Sequence, residues 1–283
     1  EHFTPYCTGY KYWLQYQTYD VSKYLQEGEN VIGVLVGDGW AKGHFWFSDE
    51  PADMTMESNE LGYPVNITID KYLLICELRM NDKVLVVSDN SWTCHLSPVR
   101  RSNFYDGEVY DCNYEIPDWA SPQYVEKDWE KAVIVYEYQQ ECPFTLSERL
   151  SVPVIVKKRF EPKRIIDTDV VDIGQNIAGW VEITIDAPKN FETILEFGEI
   201  YTKAEFDNSN LGSAKQEFRI ISNGNRTRVR PHFTYYGFQY IRFKQFYGPQ
   251  EPNFIKSFEI TVCAIYSDLE ETGSFECGSE DVN

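Results

Sequence analysis

The chain has 283 residues, which is enough for about two domains of ordinary size that each bury their own core. Its apolar fraction of 42% excludes an intrinsically disordered protein, and it has no apolar run of the roughly 18 residues that a membrane helix needs. The net charge of −19 repels phosphate groups, so neither nucleic acid nor an anionic membrane surface is an expected partner.

Two elements are predicted before the first glycine-rich segment. Asp20 is a suitable N-cap and Gly28 a suitable terminator for one short helical turn. The continuous apolar run from Val31 to Val36 then predicts a strand that is covered on both faces.

The glycine-rich segment 37–43 follows that run. Its G-x-G-x-x-x-G spacing is one residue too long for a dinucleotide loop, and the next residues do not open a helix, so we reject a nucleotide site. Asp38 and Trp40 could instead bind a sugar, because a carboxylate suits its hydroxyls and an aromatic ring suits its apolar face. The alternative is a tryptophan buried beside a turn.

The acidic segment at 50–63 predicts a surface loop, and the alternating run at 72–80 predicts a strand.

Three carboxylates are concentrated farther along the chain, at Asp106, Glu108 and Asp111. In a strand, Asp106 and Glu108 would lie about 6.6 Å apart on one face, near the spacing of an inverting glycosidase pair. Adjacent positions on one strand cannot easily flank a sugar ring. Calcium binding by these oxygens, or a solvated strand and turn, is therefore favoured over catalysis.

A domain boundary is predicted near residues 140–152, where Pro143 and Pro153 flank polar residues and interrupt the strand pattern. Beyond the boundary, the segment from Val171 to Trp180 begins with apolar residues and ends with small residues that lead into a strand. The polar residues between them predict a tight turn. The turn would expose Gln175 and Asn176. Their amides suit a hydroxyl-rich ligand or the backbone of another domain, although they could also bond to their own loop.

The remaining pattern is also that of strands. Asn223-Gly224 predicts a hairpin, and the alternation over 258–266 predicts a late strand. No long helical periodicity is present, so the predicted class is all-β, with a sandwich or barrel architecture. The motifs G-x-S-x-G and H-E-x-x-H are absent and the four histidines are far apart, which argues against the usual nucleophile and zinc-protease sites.

Seven phrases of the sequence and Glu199 together resemble the bacterial α-L-rhamnosidases. The phrases are Tyr16–Ser22, Gly28–Val34, Gly37–Trp40, Ser97–Arg100, Tyr105–Asp111, Asp172–Trp180 and Pro231–Tyr240. Their order and spacing are similar to those of the two β domains that precede the catalytic barrel of this family. The resemblance spans essentially the whole chain.

The resemblance implies an N-terminal β-sandwich at 1–147, of a type that in some relatives binds rhamnose with calcium, and a jelly-roll-like sandwich at 148–268. Catalysis in the family is inverting hydrolysis of terminal α-L-rhamnose in an (α/α)6 barrel, which starts just after a phrase similar to Thr272–Cys277. Residues 269–283 would then form a linker toward a missing catalytic domain. Relatives also have strands before the phrase that matches Pro5–Tyr10, so truncation at the start is expected.

We therefore interpret the chain as an all-β fragment of an α-L-rhamnosidase, with two β-sandwich domains and very little helix. No catalytic residue is assigned and no cofactor is required, although calcium at Asp106, Glu108 and Asp111 is a hypothesis. The expected partners are the missing catalytic domain and a rhamnose-containing glycan. The candidate residues for sugar or interdomain contacts are Asp38, Trp40, Gln175 and Asn176.

Three alternatives remain open: a stand-alone carbohydrate-binding module, a purely structural pair of sandwiches, and an unconventional hydrolase that uses Asp106 and Glu108. The seven cysteines include no C-x-x-C pair, which predicts mostly reduced thiols and no zinc ribbon. With no visible secretory signal, the bacterial cytoplasm is the expected location.

Overall fold

The computed structural model describes residues 1–6, 8, 13–40, 71–135, 145–212, 214–250, 257–279 and 282. Within these ranges the chain is built from strands and three short 3-10 helices, and the described part contains no α-helix, which confirms the predicted all-β class. The 3-10 helices are Ser22–Tyr24, Cys112–Tyr114 and Ser209–Leu211. The predicted loop at 50–63 lies outside the described residues.

The strands of the described ranges are numbered in chain order. They are β1 Trp13–Tyr16, β2 Glu77–Met80, β3 Lys83–Val87, β4 Thr93–Cys94, β5 Val99–Asn103, β6 Gly107–Asp111, β7 Glu130–Lys131, β8 Thr145–Glu148, β9 Val154–Phe160, β10 Arg164–Ile165, β11 Val170–Ile185, β12 Glu192–Gly198, β13 Ile200–Thr202, β14 Glu205–Asp207, β15 Glu217–Ile221, β16 Thr227–Val229, β17 Tyr236–Gln245 and β18 Ile260–Ser267.

Most of the long strands join one sheet in the order β5-β6-β15-β12-β17-β11-β18-β9, with β10 and β16 added beside β11. The 16-residue β11 is central to it. Its first part pairs with β17 and its later part with β18, while β10 and β16 pair near its two ends. The four smaller pairings β1–β8, β2–β3, β4–β7 and β13–β14 are each separate two-stranded sheets.

The core lies on the inner face of the main sheet. In β17 the buried side chains Tyr236, Phe238, Ile241 and Phe243 alternate with more exposed neighbours, as a pleated strand with one buried face requires. The ring of Phe197 in β12 stacks on that of Tyr236, with centroids 4.0 Å apart. Each fully buried side chain of this size stabilises the fold by roughly 1.5–3 kcal/mol, so this cluster holds the curled sheet together.

A charged ladder crosses the outer side of β12, β15 and β17. The Lys244 ammonium lies 2.9 Å from a carboxylate oxygen of Glu196 and 2.9 Å from one of Glu217. Glu217 also pairs with Arg219, and Glu196 with Arg242. Both glutamates are buried, and burying a carboxylate without such a partner carries a large desolvation penalty.

The short helical turn is confirmed as the 3-10 helix Ser22–Tyr24. The predicted N-cap Asp20 and terminator Gly28 are wrong, because the N-cap is Val21 and the C-cap is Leu25, although the Ser22 N–H does donate to the Asp20 carboxylate at 2.9 Å. The strand predicted at Val31–Val36 is wrong. Residues 31–36 belong to none of the strands in the described ranges, and Val31 is 47% exposed. A Cβ at Gly33 would lie 2.7 Å from the Trp119 ring, so this segment packs against a side chain instead of a neighbouring strand.

The hairpin predicted at Asn223-Gly224 is also wrong, although the turn itself forms. β15 pairs with β12 and β6, whereas β16 pairs with β11. The Ser222 hydroxyl donates to the Ala187 carbonyl at 2.8 Å, and the Asn190 N–H donates to the Ser222 carbonyl at 2.7 Å. These bonds fix the turn to the loop between β11 and β12, which directs the chain across to β11.

In the ranges described, none of the helices has the length and apolar composition needed to cross a bilayer. No disulfide links the cysteines at 76, 94, 112, 263 and 277.

Candidate functional site

Asp38 is bound into the fold. Its carboxylate accepts the N–H of Ser102 in β5 at 3.1 Å and the hydroxyl of Tyr72 at 2.8 Å, and its own N–H donates to the Ser102 hydroxyl at 2.9 Å. Burial, together with the hydrogen bond to Asp38 and its negative charge, raises the pKa of Tyr72 to about 12. This carboxylate therefore connects the glycine-rich segment to β5.

Trp40 lies against Phe104 at the turn between β5 and β6. The two rings are stacked, with centroids 4.4 Å apart and planes 18° from parallel. Phe104 in turn contacts Tyr235 edge-on at 5.9 Å, and Trp40 contacts Tyr105 edge-on at 6.2 Å. The four rings come from three separate parts of the sequence, so they form one aromatic cluster only in the folded chain.

Two open cavities adjoin this cluster, with volumes of about 190 and 250 Å³. Both are lined by Trp40, Phe104 and Tyr235, and the smaller is also lined by Gln216 and Gly237. We call this combined depression the aromatic cleft. Ring faces beside a few polar groups can accept either a sugar or the apolar side chains of another domain.

The tight turn predicted at Gln175 and Asn176 is wrong, because both residues lie inside β11. Asp172 pairs with Tyr240 and Ile177 with Phe238, so the four residues 173–176 face only Gln239 in β17. This is an extended β-bulge, in which the extra residues leave the ladder. Gln175 and Asn176 are exposed, whereas Ile173 remains in the core. Gly174, with φ of 92°, provides the left-handed backbone that the bulge requires.

The bulge places Asn176 next to Glu199. Its amide donates to one carboxylate oxygen of Glu199 at 2.8 Å, while the Asn210 amide donates to the other at 3.2 Å. One oxygen of Glu199 also lies 3.7 Å from where a Cβ on Gly237 would be, and Gly237 lines the aromatic cleft. A polar group of two amides and one carboxylate thus adjoins the cleft, with Gln175 exposed beside it.

The three carboxylates predicted as a calcium site have separate partners. Asp106 pairs with Arg101 and, at 3.5 Å, with Lys215. Asp111 accepts the N–H of Asn113 at 2.9 Å and so caps the second 3-10 helix. Glu108 is fully buried and accepts the N–H groups of His232 and Phe233.

This arrangement gives the calcium hypothesis no support. In the described part of the chain, no three His, Cys, Asp or Glu side chains are placed to hold a metal ion. The same geometry argues against Asp106 and Glu108 as a catalytic pair. The Glu108 side chain is 0% exposed, so its carboxylate cannot reach a glycoside.

The sequence missed several residues of the cleft. Phe104 and Asn210 were not singled out, and Tyr235 was noted only within the phrase Pro231–Tyr240 of the resemblance. Glu199 was noted only as part of the resemblance. These residues come together only because strands that are distant in the sequence pair with one another, and no local sequence pattern predicts that pairing.

Two family models match the chain. Residues 1–158 match the α-L-rhamnosidase N-terminal domain, and residues 163–266 match the bacterial α-L-rhamnosidase concanavalin-like domain. An α-L-rhamnosidase of Formosa agariphila is 27% identical over 98% of this chain, but the match covers 29% of that protein. The chain therefore spans less than a third of the length of this relative.

Solved structures have the same fold. The α-L-rhamnosidase of Streptomyces avermitilis, in complex with L-rhamnose, superposes with a TM-score of 0.77 at 21% identity, over 99% of this chain and 26% of that one. The enzyme from Dictyoglumus thermophilum superposes with a TM-score of 0.61 at 26% identity, over 71% of this chain and 23% of that one. Since the N-terminal domain model alone covers more than half of its 283 residues, the chain belongs to the α-L-rhamnosidase family.

Proposed function

We propose that this chain is the non-catalytic β region of an α-L-rhamnosidase and that it acts as a scaffold for a catalytic domain of the same polypeptide. The parent enzyme would hydrolyse terminal α-L-rhamnose from glycosides with inversion. The observation that carries the proposal is the pair of family matches, to an N-terminal and a concanavalin-like domain, within a chain that spans less than a third of the first relatives.

The side-chain geometry supports a scaffold over a catalytic role. Asp106 and Glu108 are the two carboxylates considered as a catalytic pair, and both have partners within the fold. Asp106 pairs with Arg101 and Lys215, and Glu108 accepts the N–H groups of His232 and Phe233. A carboxylate whose lone pairs are taken by internal partners has little capacity left for a ligand.

The activity is tested with p-nitrophenyl α-L-rhamnoside. The chain alone is expected to release no p-nitrophenol above the buffer rate, whereas the polypeptide encoded by the whole reading frame is expected to hydrolyse the substrate. The anomer of the released rhamnose, followed by NMR, reports inversion. Turnover by the chain alone, or no turnover by the whole polypeptide, would contradict the proposal.

Carbohydrate recognition is a second candidate, favoured by the aromatic cleft and the amides beside it. Calorimetry with L-rhamnose, in calcium and in EGTA, distinguishes a scaffold from a carbohydrate-recognition site. A scaffold gives no binding heat in either buffer. If heat is observed, recognition at the cleft requires that Trp40→Ala removes it, while Tyr24→Ala, which truncates a ring that is 71% exposed elsewhere, leaves it unchanged.

A further inference from the structure

The hairpin of β5 and β6 lies within residues 1–158 of the sequence but belongs to the main sheet in space. β6 runs parallel to β15, with five residues in register from Gly107 opposite Glu217 to Asp111 opposite Ile221. β15 itself continues through β12 and β17 into the core of the second domain. The hairpin therefore forms the outer edge of a sheet whose other strands come from residues 154–267.

The approach of the two backbones at this edge is very close. Gly107 has φ of 101°, and a Cβ there would lie 1.8 Å from the carbonyl oxygen of Glu217. The Lys215 and Gln216 N–H groups donate to the Tyr105 carbonyl at 2.9 and 3.0 Å. Glycine is needed both for this backbone conformation and for this contact.

A buried charge fixes the hairpin to a second site on the same domain. The carboxylate of Glu108 accepts the His232 N–H at 2.9 Å and the Phe233 N–H at 2.9 Å. The His232 ring also stacks on Tyr110, with centroids 5.6 Å apart. Without these amides, burying Glu108 would carry a large desolvation penalty, so the carboxylate and the 232–233 backbone depend on each other.

The contacts continue past the end of β6. The Asn113 amide donates to the Ser222 carbonyl at 3.3 Å, and the Asn223 amide donates to the Cys112 carbonyl at 3.3 Å. Cys112 is 2% exposed and belongs to the same apolar core as the strands of the second domain.

We propose that residues 97–114 are part of the folding unit of the second domain. The edge of β15 and the amides of His232 and Phe233 form a docking surface, and its partner is this segment of the same chain. The second domain is then discontinuous in sequence, and its stability depends on a hairpin that precedes the predicted boundary at 147. This inference does not depend on the enzymatic activity of the parent protein.

Hydrogen exchange on the intact chain tests the proposal. In Glu108→Gln, the amides of β15 and of residues 232–234 are expected to exchange at least about tenfold faster than in the wild type. The matched control is Glu130→Gln in β7, an exposed position paired only with β4, which should leave these amides unchanged. Unchanged exchange in Glu108→Gln would overturn the proposal.

A cut chain gives an independent measurement that needs no substitution in the hairpin. A protease site inserted after Leu150, which is 80% exposed, allows the folded protein to be cleaved into residues 1–150 and 151–283. The pieces are expected to elute together and to unfold in one transition. Separation of the pieces, with β15 still protected in residues 151–283, would show that the second domain does not need the hairpin.

Discussion

The side-chain carboxylate of Asp172 accepts the backbone N–H of Gly174 at 2.8 Å and so closes the bulge of β11. It also accepts from Arg164 at 3.0 Å and from Gln239 at 3.2 Å, although Asp172 is only 2% exposed. Burial, the largest effect, acts to raise the pKa of Asp172. The hydrogen bonds from Gly174, Gln239 and Arg164 together outweigh it and lower the pKa below its ordinary value.

Asp172→Asn is therefore expected to destabilise the chain by about 1–3 kcal/mol. The substitution removes the negative charge. It also places an amide N–H, which cannot accept a hydrogen bond, among the donors of Gly174, Arg164 and Gln239. Urea unfolding measures the change. Asp186→Asn is the control, because Asp186 is exposed beyond the end of β11, and it should change the unfolding free energy by less than about 0.5 kcal/mol. Equal effects at both positions would show that the bulge does not depend on Asp172.

Acid should destabilise the fold through Glu217. Burial acts to raise its pKa, but hydrogen bonds from Lys244 and Arg219 hold it below its ordinary value. The unfolded chain, with a glutamate pKa of about 4.3, therefore binds this proton at a higher pH than the folded chain. The stabilisation is present above that pH and is lost as the pH falls through the folded pKa.

The unfolding free energy should thus fall on acidification below about pH 5, and less steeply in Glu217→Gln than in the wild type. Denaturant unfolding at a series of pH values gives the slopes. Glu205→Gln, at an exposed position in β14, should retain the wild-type slope. If Glu217→Gln also retains the wild-type slope, another carboxylate accounts for most of the loss of stability in acid.

Gly107→Ala should be among the more damaging single substitutions in the chain. It combines a strained backbone at φ of 101° with a Cβ that would lie 1.8 Å from the Glu217 carbonyl. We expect a loss of about 3 kcal/mol or more, measured by thermal and urea unfolding. Gly28→Ala is the matched control, since Gly28 has φ of 94° but nothing within 4 Å of the added carbon. It should cost only about 1 kcal/mol, and similar losses in both variants would exclude the steric contact as the cause.

Asn176→Asp should weaken the polar group beside the aromatic cleft. It would replace a donor 2.8 Å from the Glu199 carboxylate with a second negative charge. Because both residues are exposed, the expected loss of unfolding free energy, measured in urea at neutral pH, is below about 1 kcal/mol. Gln175→Glu adds the same charge one residue away. An equal loss in that variant would mean that the effect is one of net charge.

The sequence was sufficient for the fold class because alternation is a local property. The run over 258–266 predicted a strand, and β18 occupies Ile260–Ser267. The short turn at Ser22–Tyr24 was also predictable, because the Asp20 carboxylate lies only two residues from the N–H that it accepts. These elements need no information about distant parts of the chain.

The errors at the β11 bulge, at Asn223-Gly224 and at Glu108 share one cause, which is strand pairing between distant segments. Gly174, Gln175 and Asn176 look like a turn because they leave the ladder, but pairing on both sides keeps them within β11. Asn223-Gly224 does form a turn, but β15 pairs with β12 and β16 pairs with β11, so the two strands do not form a hairpin. Glu108 meets the Phe233 amide across a separation of 125 residues, which no short motif could indicate.

β11 is the strand that connects β17 and β18 in the main sheet, and it also pairs with β10 and β16. Inserting one residue between Gly179 and Ile183 would exchange the two faces of the strand, so apolar side chains would turn toward water against several neighbours at once. At the exposed residues Gln175 and Asn176 the ladder with β17 is already interrupted, so an added residue there would only enlarge the bulge. Length variation along this strand is therefore tolerable at the bulge and almost nowhere else.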